Sequence, residues 1–291
     1  MRPVRDLFVE EYWNIAYRNY TEDDSVVNAP AKTKFNILKA TKRFWYADPF
    51  LFEKDGKTYL FVEMFDNMTE IGVIGCSEYI DGKFTEPEVV LQEDFHLSYP
   101  YVFEKDGKVF MMPETHAENC IQLYEAVVFP KKWKKLSVAV ADVDAVDTVI
   151  ENGFFIGSVV CPEKDMSIDL CVYDKDGKEM PYSPVYTHRL DKRGAGMCFT
   201  HKNARLRPAQ SCENGVYGEK IIFYKINQCD SDGYSEEKFS EITPGNIEVD
   251  GLENPNGIHT YARTDKIEIV DIKAERTNLQ RLSWIAKRKL G

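Results

Sequence analysis

The chain has 291 residues, of which 43% are hydrophobic and 13% aromatic, so it can bury a large core and is neither disordered nor fibrous. Its 37 basic and 48 acidic residues give a net charge of −11, which opposes attraction to phosphates and predicts no nucleic acid partner. No stretch approaches the roughly 20 apolar residues of a membrane span, and acidic residues follow Met1 too soon for a signal peptide. We therefore expect a cytoplasmic protein.

Two segments in the first half of the chain repeat each other. Residues 47–63 (ADPFLFEKDGKTYLFVE) and 98–114 (SYPYVFEKDGKVFMMPE) share an uninterrupted FEKDGK. In each copy, alternating apolar residues, a Lys-Asp-Gly-Lys turn and a second β-rich run predict a β-hairpin. Three diverged copies begin near residues 147, 195 and 259, with predicted turns at 151–153, 200–203 and 263–266.

A repeat of about 50 residues with roughly four strands is typical of a β-propeller blade. Five repeats predict an all-β, five-bladed β-propeller over residues 1–273. A strand predicted over residues 12–18 is left over, and it is placed to complete the last blade and close the ring. The alternative is an antiparallel sandwich, which the doubled FEKDGK disfavours.

The last segment, residues 274–291, is predicted to form a basic amphipathic helix or tail. Leu279, Leu282, Ile285 and Ala286 follow helical spacing among several arginines and lysines. Two interpretations stay open. The segment contacts an anionic membrane peripherally, at its inner face, or it packs against the propeller or frays.

Equivalent repeat positions in a propeller converge at the central channel, so polar residues there become neighbours. The first such position holds Asp48, Tyr99, Asp147, Ala195 or Gly196, and His259, and the second holds Glu63, Glu114 and Gln210. Sugar chemistry needs one carboxylate as a base and one carboxylic acid. We predict that Asp48 is the catalytic base and that Glu114 is the acid or a ligand of sugar hydroxyls. The alternative is that these carboxylates only accept backbone N–H bonds.

Further polar residues flank these positions. Two histidines, His96 and His116, are interpreted as hydrogen-bonding partners of the substrate, and Arg193, Arg207 and His259 as a set that faces a phosphate; surface placement is the alternative for Arg193. The histidines match no compact ligand motif, and the seven cysteines form no CxxC pair and are expected to be reduced. No metal or cofactor is predicted. The predicted substrate-binding residues are Glu63, His96, Tyr99, His116, Asp147, Arg193, Arg207, Gln210 and His259.

Five ordered segments, FWYADPFLFEKDGKTYLFVE, DFHLSYPYVFEKDGKVFMMPETH, RGAGMCF, RLRPAQ and IHTYAR, resemble a known family. It is the propeller domain at the N-terminus of plant glucosamine inositolphosphorylceramide transferases, which also occurs as stand-alone bacterial proteins. That domain is similar to the five-bladed hydrolases of glycoside hydrolase family 43. The latter resemblance implies an Asp base on the first blade, a pKa-tuning Asp on the second and a Glu acid on the third. Asp48 matches the base, whereas the second blade has Tyr99-Pro100 and the third has Asp147 without a matching Glu.

Three hypotheses about function follow. The first is a glycosyltransferase-type enzyme of cell-surface polysaccharide or glycolipid biosynthesis, which moves a sugar from an activated donor to a glycan or glycolipid acceptor. The second is a glycoside hydrolase. The third is a noncatalytic sugar-binding module in which Trp45, Tyr46, Tyr99 and Tyr101 form a stacking platform, unless they pack in the blade cores. The altered hydrolase residues and the basic tail favour the first.

Overall fold

The computed structural model describes residues 9–161, 167–186, 191–212, 215–252 and 254–290. The first eight residues, on which the expectation of no signal peptide rests, lie outside the described residues. The strands form five sheets around a central channel, so the predicted five-bladed β-propeller is confirmed.

Blades 1 and 2 contain the two FEKDGK hairpins. Blade 1 comprises β3 (Phe44–Lys54), β4 (Lys57–Asp66), β5 (Ile71–Ile80), β6 (Lys83–Phe84) and β7 (Glu88–Leu91). Blade 2 comprises β8 (Ser98–Lys105), β9 (Lys108–Glu114), β10 (Cys120–Val128) and β11 (Lys132–Ala141). Both turn residues of each hairpin have positive φ, near 50° for the aspartate and above 70° for the glycine. Asp-Gly tolerates this conformation, which matches the twist of the strands that it joins.

Blades 3 and 4 contain the diverged copies. Blade 3 comprises β12 (Ala145–Glu151), β13 (Phe154–Cys161) and β14 (Ser167–Tyr173). Blade 4 comprises β15 (Arg193–Gly194), β16 (Phe199–His201), β17 (Ala204–Ser211), β18 (Lys220–Cys229) and β19 (Tyr234–Ile242). Asn152-Gly153 and Lys202-Asn203 again occupy the turns with positive φ at both residues. The hairpins predicted for these two copies are therefore confirmed.

Blade 5 joins the two ends of the chain. It comprises β20 (Ile247–Val249), β21 (Tyr261–Arg263), β22 (Ile267–Thr277), β1 (Val9–Asn19) and β2 (Thr33–Leu38). The closing strand β1 pairs antiparallel with β22 along its whole length, from Val9 opposite Thr277 to Asn19 opposite Ile267. The predicted closing strand is confirmed, and backbone hydrogen bonds between β1 and β22 hold the ring shut.

The C-terminal helix α1 (Gln280–Leu290) follows β22 after a short turn. The side chain of Asn278 accepts a hydrogen bond from the Gln280 N–H and so caps the first turn. Trp284 is buried, whereas Leu279 is 67% and Leu282 is 38% exposed; the side chain of Ile285 lies outside the described residues. In the part of the chain that the structure covers, no helix is long and apolar enough to cross a membrane.

Apolar residues fill the spaces between the blades and between the strands of each sheet. The largest cluster joins blades 1 to 4 and includes Phe50, Leu97, Tyr99 and Val149. Two smaller clusters pack blade 5 against blades 4 and 1. The cysteines whose side chains are described are free thiols, and all of them except the partly exposed Cys212 are buried, as expected of reduced thiols.

The inner strands of the first three blades share one backbone distortion. Asp48, Tyr99 and Asp147 all have φ near +50°, and the register of the ladder shifts at each of them. Such a shift is a β-bulge. A non-glycine residue in this left-handed region costs about 1 kcal/mol or more, so the surrounding structure must hold it in place.

Hydrogen bonds between neighbouring blades provide that support. The N–H groups of Asp48, Tyr99 and Asp147 donate to carboxylate oxygens of Asp271, Asp48 and Glu114 over 3.1, 3.2 and 3.3 Å, each on the preceding blade. The Gly194 N–H donates to Ser158 Oγ on blade 3, and the Tyr261 N–H donates to the Ala195 carbonyl on blade 4. Every blade is thus linked to the one before it around the channel.

Gly196 offers a test of this ring of hydrogen bonds. It has φ +125°, and a Cβ atom there would lie 1.9 Å from the Tyr261 carbonyl oxygen. We expect Gly196→Ala to lower the free energy of unfolding by about 3 kcal/mol or more, because strain and steric overlap add. Urea denaturation measures this loss. Gly107→Ala is the control, since Gly107 also has positive φ but nothing within 4 Å of an added Cβ; equal losses in the two variants would contradict the prediction.

Candidate active site

Five carboxyl groups converge at the inner ends of the blades, and we call them the channel carboxyls: Asp48, Glu63, Glu114, Asp147 and Asp271. Their side chains are at most 11% exposed. Two of them, Asp48 and Asp147, sit at the bulges, and the others lie on the second strands of blades 1, 2 and 5. Four of the five are predicted site residues, and the structure brings these four together with Asp271.

Two cationic side chains contact the channel carboxyls. The Arg193 guanidinium donates through Nε to Asp147, and its Nη2 lies 3.8 Å from Glu114 Oε2. The His259 imidazole is ion-paired through Nδ1 with Asp271, and the same nitrogen lies 3.8 Å from Asp48 Oδ1. Two basic side chains therefore face five carboxyl groups, which leaves an excess of acidic groups at this point.

The pKa values identify which carboxyls hold protons. Burial raises the pKa of Asp48 to about 6, against the opposing charge of His259. Burial, reinforced by the charge of Asp147, raises the pKa of Glu114 to about 8. Burial, followed by the charges of Asp48 and Glu114, also raises the pKa of Glu63 well above its usual range. At pH 7, Asp48, with a pKa of about 6, is therefore mainly ionised, while Glu114, with a pKa of about 8, is mainly protonated.

His259 responds differently to the same surroundings. Burial by itself lowers the pKa of this imidazole, but the carboxylate of Asp271 outweighs burial and raises the pKa above its ordinary value. Asp271 also accepts hydrogen bonds from the backbone N–H groups of His259 and Thr260, each over 2.9 Å. The imidazole is therefore fixed in position, and its ion pair with Asp271 favours the positively charged form.

Asp48, His259 and Asp271 are also the one group of potential metal ligands that the described residues bring together, with ligand atoms within 4.8 Å of one another. Nδ1 of His259 faces the carboxylates of both aspartates. The raised pKa of His259 favours the protonated imidazole, which pairs with these carboxylates as a cation.

Next to the channel carboxyls lies His96. Its Nδ1 accepts a hydrogen bond from the Gly72 N–H, and its Nε2 lies 3.3 Å from Glu63 Oε1. Burial, together with the charge of His116, lowers the pKa of His96, so its imidazole is neutral and carries its proton on Nε2, facing Glu63. His116 lies further out, with a 44% exposed side chain 3.3 Å from Asp144.

The other predicted site residues are held within the protein. The guanidinium of Arg207, only 2% exposed, forms a bidentate ion pair with Glu236 over 2.8 Å and is not presented to the channel. Gln210 is 3% exposed and lies opposite Arg193 in the β15–β17 ladder. The ring of Tyr99 is 1% exposed, and its hydroxyl accepts a hydrogen bond from the Gly196 N–H over 2.7 Å.

The aromatic platform considered in the sequence is not formed. Tyr46, Tyr99 and Tyr101 are at most 7% exposed and pack in the blade cores, and Trp45 stacks on Phe65. The aromatic rings beside the channel carboxyls belong instead to two residues that were not predicted. Trp13 stacks on His259 with ring centroids 4.0 Å apart, and Tyr217 packs edge-on against the same imidazole at 5.2 Å.

A signal in the sequence could have identified one of the missed residues. Asp271 follows the turn of the fifth hairpin on its second strand, as Glu63 and Glu114 follow the turns of the first two hairpins. The spacing is shorter in the fifth copy, which hides this correspondence. Trp13 and Tyr217 lie outside the repeated segments, so no alignment of the copies could place them.

The raised pKa of Glu114 gives stability a distinctive dependence on pH. The folded protein holds this proton up to about pH 8, whereas the unfolded chain releases it near pH 4.5. Stability that is present at low pH is therefore lost as the pH rises through this window. In the wild type, the free energy of unfolding should fall as the pH rises from 5 to 8. We expect this fall to be smaller by about 2 kcal/mol in Glu114→Gln, because the amide does not titrate.

Urea denaturation at several pH values measures this difference. The amide keeps an oxygen that can accept the Asp147 N–H bond, so only the titration is removed. Glu104→Gln, at an exposed site on blade 2, is the matched control and should follow the wild-type pH dependence. Parallel curves for wild type and Glu114→Gln would show that Glu114 does not hold a proton in this range.

Comparison with known proteins identifies the family of the chain. The profile of the family "Glucosamine inositolphosphorylceramide transferase 1, N-terminal" matches residues 18–247. Glucosamine inositolphosphorylceramide transferase 1 of Oryza sativa subsp. japonica is 30% identical over 206 residues, which are 65% of this chain and 27% of that protein. The chain spans about a quarter of the length of the curated relatives it matches.

Two solved structures are similar to this chain at low sequence identity. An α-L-arabinofuranosidase from Podospora anserina, solved in complex with cellotriose, is 8% identical, with a TM-score of 0.53 over 79% of this chain and 90% of that one. A β-xylosidase/α-arabinofuranosidase of glycoside hydrolase family 43, from a compost microbial metagenome, is 14% identical, with a TM-score of 0.43 over 69% of this chain and 74% of that one.

Proposed function

The chain belongs to the family of glucosamine inositolphosphorylceramide transferase 1 N-terminal domains, and we propose that it is a carbohydrate-active enzyme of the glycosyltransferase type. It transfers a sugar from an activated donor to a glycan or glycolipid acceptor in the biosynthesis of cell-surface polysaccharide or glycolipid. The names of its relatives support transfer, and the channel carboxyls support acid–base chemistry on a sugar.

The observation that carries this proposal is the difference between two neighbouring carboxyl groups. At pH 7, Asp48 is ionised and Glu114 is protonated. A pair whose environments separate their pKa values in this way supplies one base and one acid. Glu114 Oε2 accepts the Asp147 N–H bond, and Oε1 has no hydrogen-bond partner among the described residues, so its proton is available to a ligand.

The proposed reaction uses these two groups in one displacement. Asp48 takes the proton of the acceptor hydroxyl as that oxygen bonds to the anomeric carbon of the donor. The bond between the anomeric carbon and the leaving oxygen breaks, and Glu114 gives its proton to that oxygen. Arg193, whose side chain is 28% exposed, supplies a positive charge for a phosphate on the donor.

The same pair of carboxyls could activate water, so a glycoside hydrolase is the second candidate function. Hydrolysis and transfer use the same proton movements and differ in which hydroxyl attacks. A noncatalytic sugar-binding module would bind sugars in the channel without turnover. The products therefore distinguish the three candidate functions. A glycosyltransferase forms a new glycoside, a glycoside hydrolase releases a free sugar from a glycan, and a binding module gives no product.

We expect Asp48→Asn and Glu114→Gln each to lower transfer by about 100-fold or more, because each removes one proton-transfer group. The assay incubates the protein with nucleotide sugars and with glycan or lipid-linked acceptors, and measures released nucleotide and labelled product. The wild-type rate should be highest between about pH 6 and pH 8, the pKa values of the two groups. Glu104→Gln should keep the full rate; transfer that survives in both channel variants would refute the assignment.

We also propose that the protein works in the cytoplasm, with helix α1 in peripheral contact with the anionic inner face of the membrane. Leu279, Leu282 and Lys287 are exposed, whereas Trp284 is buried. Exposed apolar and basic side chains in one short segment suit insertion between anionic lipid headgroups.

Vesicle sedimentation tests this contact. We expect the wild type to bind vesicles that contain phosphatidylglycerol about tenfold more than vesicles of phosphatidylcholine alone, and Leu279→Ser with Leu282→Ser to abolish the difference. Val127→Ser with Val128→Ser is the matched control, since these valines are 59% and 52% exposed on blade 2. Equal binding by both double variants would argue against a membrane role for α1.

A further inference from the structure

Tyr217 is the exposed aromatic residue nearest to the channel carboxyls. It lies between β17 and β18 and is 43% exposed, whereas Trp13, His259 and Tyr99 are at most 6% exposed. Its ring is nevertheless held in place. The backbone carbonyl of Tyr217 accepts a hydrogen bond from Lys273 Nζ over 3.2 Å, and the ring packs edge-on against the stacked rings of Trp13 and His259.

Arg193 extends the same surface. Its guanidinium lies over the Tyr217 ring, 5.5 Å from the ring centroid, while it also contacts Asp147 and Glu114. Both side chains remain open to water, since Arg193 is 28% exposed. We call this pair the Arg193–Tyr217 wall. The Arg193–Tyr217 wall connects an exposed aromatic ring to Glu114, the acid of the proposed reaction.

Tyr217 is both open to water and enclosed by protein. Burial raises the pKa of its phenol well above the usual range, against the opposing charge of Arg193 and with support from Asp48 and Asp147. The Tyr217 side chain is nevertheless 43% exposed, so part of it is open to a ligand. The phenol stays protonated, and its hydroxyl has no hydrogen-bond partner within the described ranges.

We propose that Tyr217 is the stacking surface on which the sugar ring binds at the mouth of the channel. Ligand sites typically combine apolar or aromatic walls with a few placed polar groups. Here the Tyr217 ring covers the apolar face of the sugar, and the Tyr217 hydroxyl donates to a sugar oxygen. The channel carboxyls bond the remaining hydroxyls, while Arg193 faces the phosphate of an activated donor. The identification of the ligand as a sugar rests on the proposed function.

Binding of free sugars tests this role separately from transfer. Saturation-transfer NMR and titration with glucose, galactose, N-acetylglucosamine, xylose and arabinose give affinities for the wild type, Tyr217→Ala and Tyr217→Phe. We expect Tyr217→Ala to weaken binding of the sugars that the wild type binds by about tenfold or more. Tyr217→Phe keeps the stacking surface and should lose less than Tyr217→Ala.

Phe239→Ala is the matched control, because Phe239 is 39% exposed on β19 beside His201. It should bind sugars as the wild type does. If Tyr217→Ala fails to fold, Tyr217→Leu preserves apolar packing without an aromatic ring and serves the same comparison. Unchanged affinity without the ring, an equal loss in Phe239→Ala, or no sugar bound by the wild type would each overturn the inference.

The result also separates this inference from the proposed function. Sugar binding that depends on Tyr217 in a protein without transfer activity would support the stacking role and refute the glycosyltransferase. Transfer with an unchanged KM for the donor and the acceptor in Tyr217→Ala would refute the stacking role and leave the glycosyltransferase standing.

Discussion

The hydrogen bond from each inner-strand bulge to the preceding blade is the interaction on which the rest of the structure depends. A left-handed bulge turns one N–H group out of its own ladder, and a buried N–H without a partner costs about 1–3 kcal/mol. In blades 1, 2 and 3, the acceptor is a carboxylate oxygen of Asp271, Asp48 or Glu114. Buried acids are therefore part of how the blades are joined.

This way of joining the blades has an electrostatic consequence. It places carboxyl groups around one narrow channel, where burial and mutual repulsion oppose ionisation. Arg193 and His259 offset part of that charge, and protonation of Glu114 offsets more. The two interpretations of the acidic residues, as backbone acceptors and as chemical groups, are therefore compatible. Glu114 illustrates this, because Oε2 accepts the bulge N–H while Oε1 has no hydrogen-bond partner among the described residues.

The fold could be predicted from the sequence because the patterns that indicate it are local. An Asp-Gly turn between alternating apolar residues specifies a hairpin, and its recurrence specifies the blades. The same recurrence brought Asp48, Glu63, Glu114 and Asp147 together, since equivalent positions meet at the channel. The contacts of Arg207 could not be predicted from the sequence. A strand pattern indicates which face of the sheet a side chain lies on, but it does not show that Arg207 forms an ion pair with Glu236 on β19.

The residues at equivalent positions differ from blade to blade, so the channel does not have fivefold chemical symmetry. Blade 2 has Tyr99 where blades 1 and 3 have aspartates, and its phenol reaches across to the Gly196 N–H of blade 4. The Tyr99 ring packs edge-on against Phe50 in the apolar core. Gly196 permits this approach because it has no Cβ and adopts φ +125°. With Tyr99 buried, the side chains beside the channel carboxyls that remain open to water include His96, Arg193 and Tyr217. The departure from fivefold symmetry thus gives the channel one chemically distinct side, where carboxyl groups, a guanidinium and an exposed aromatic ring lie together.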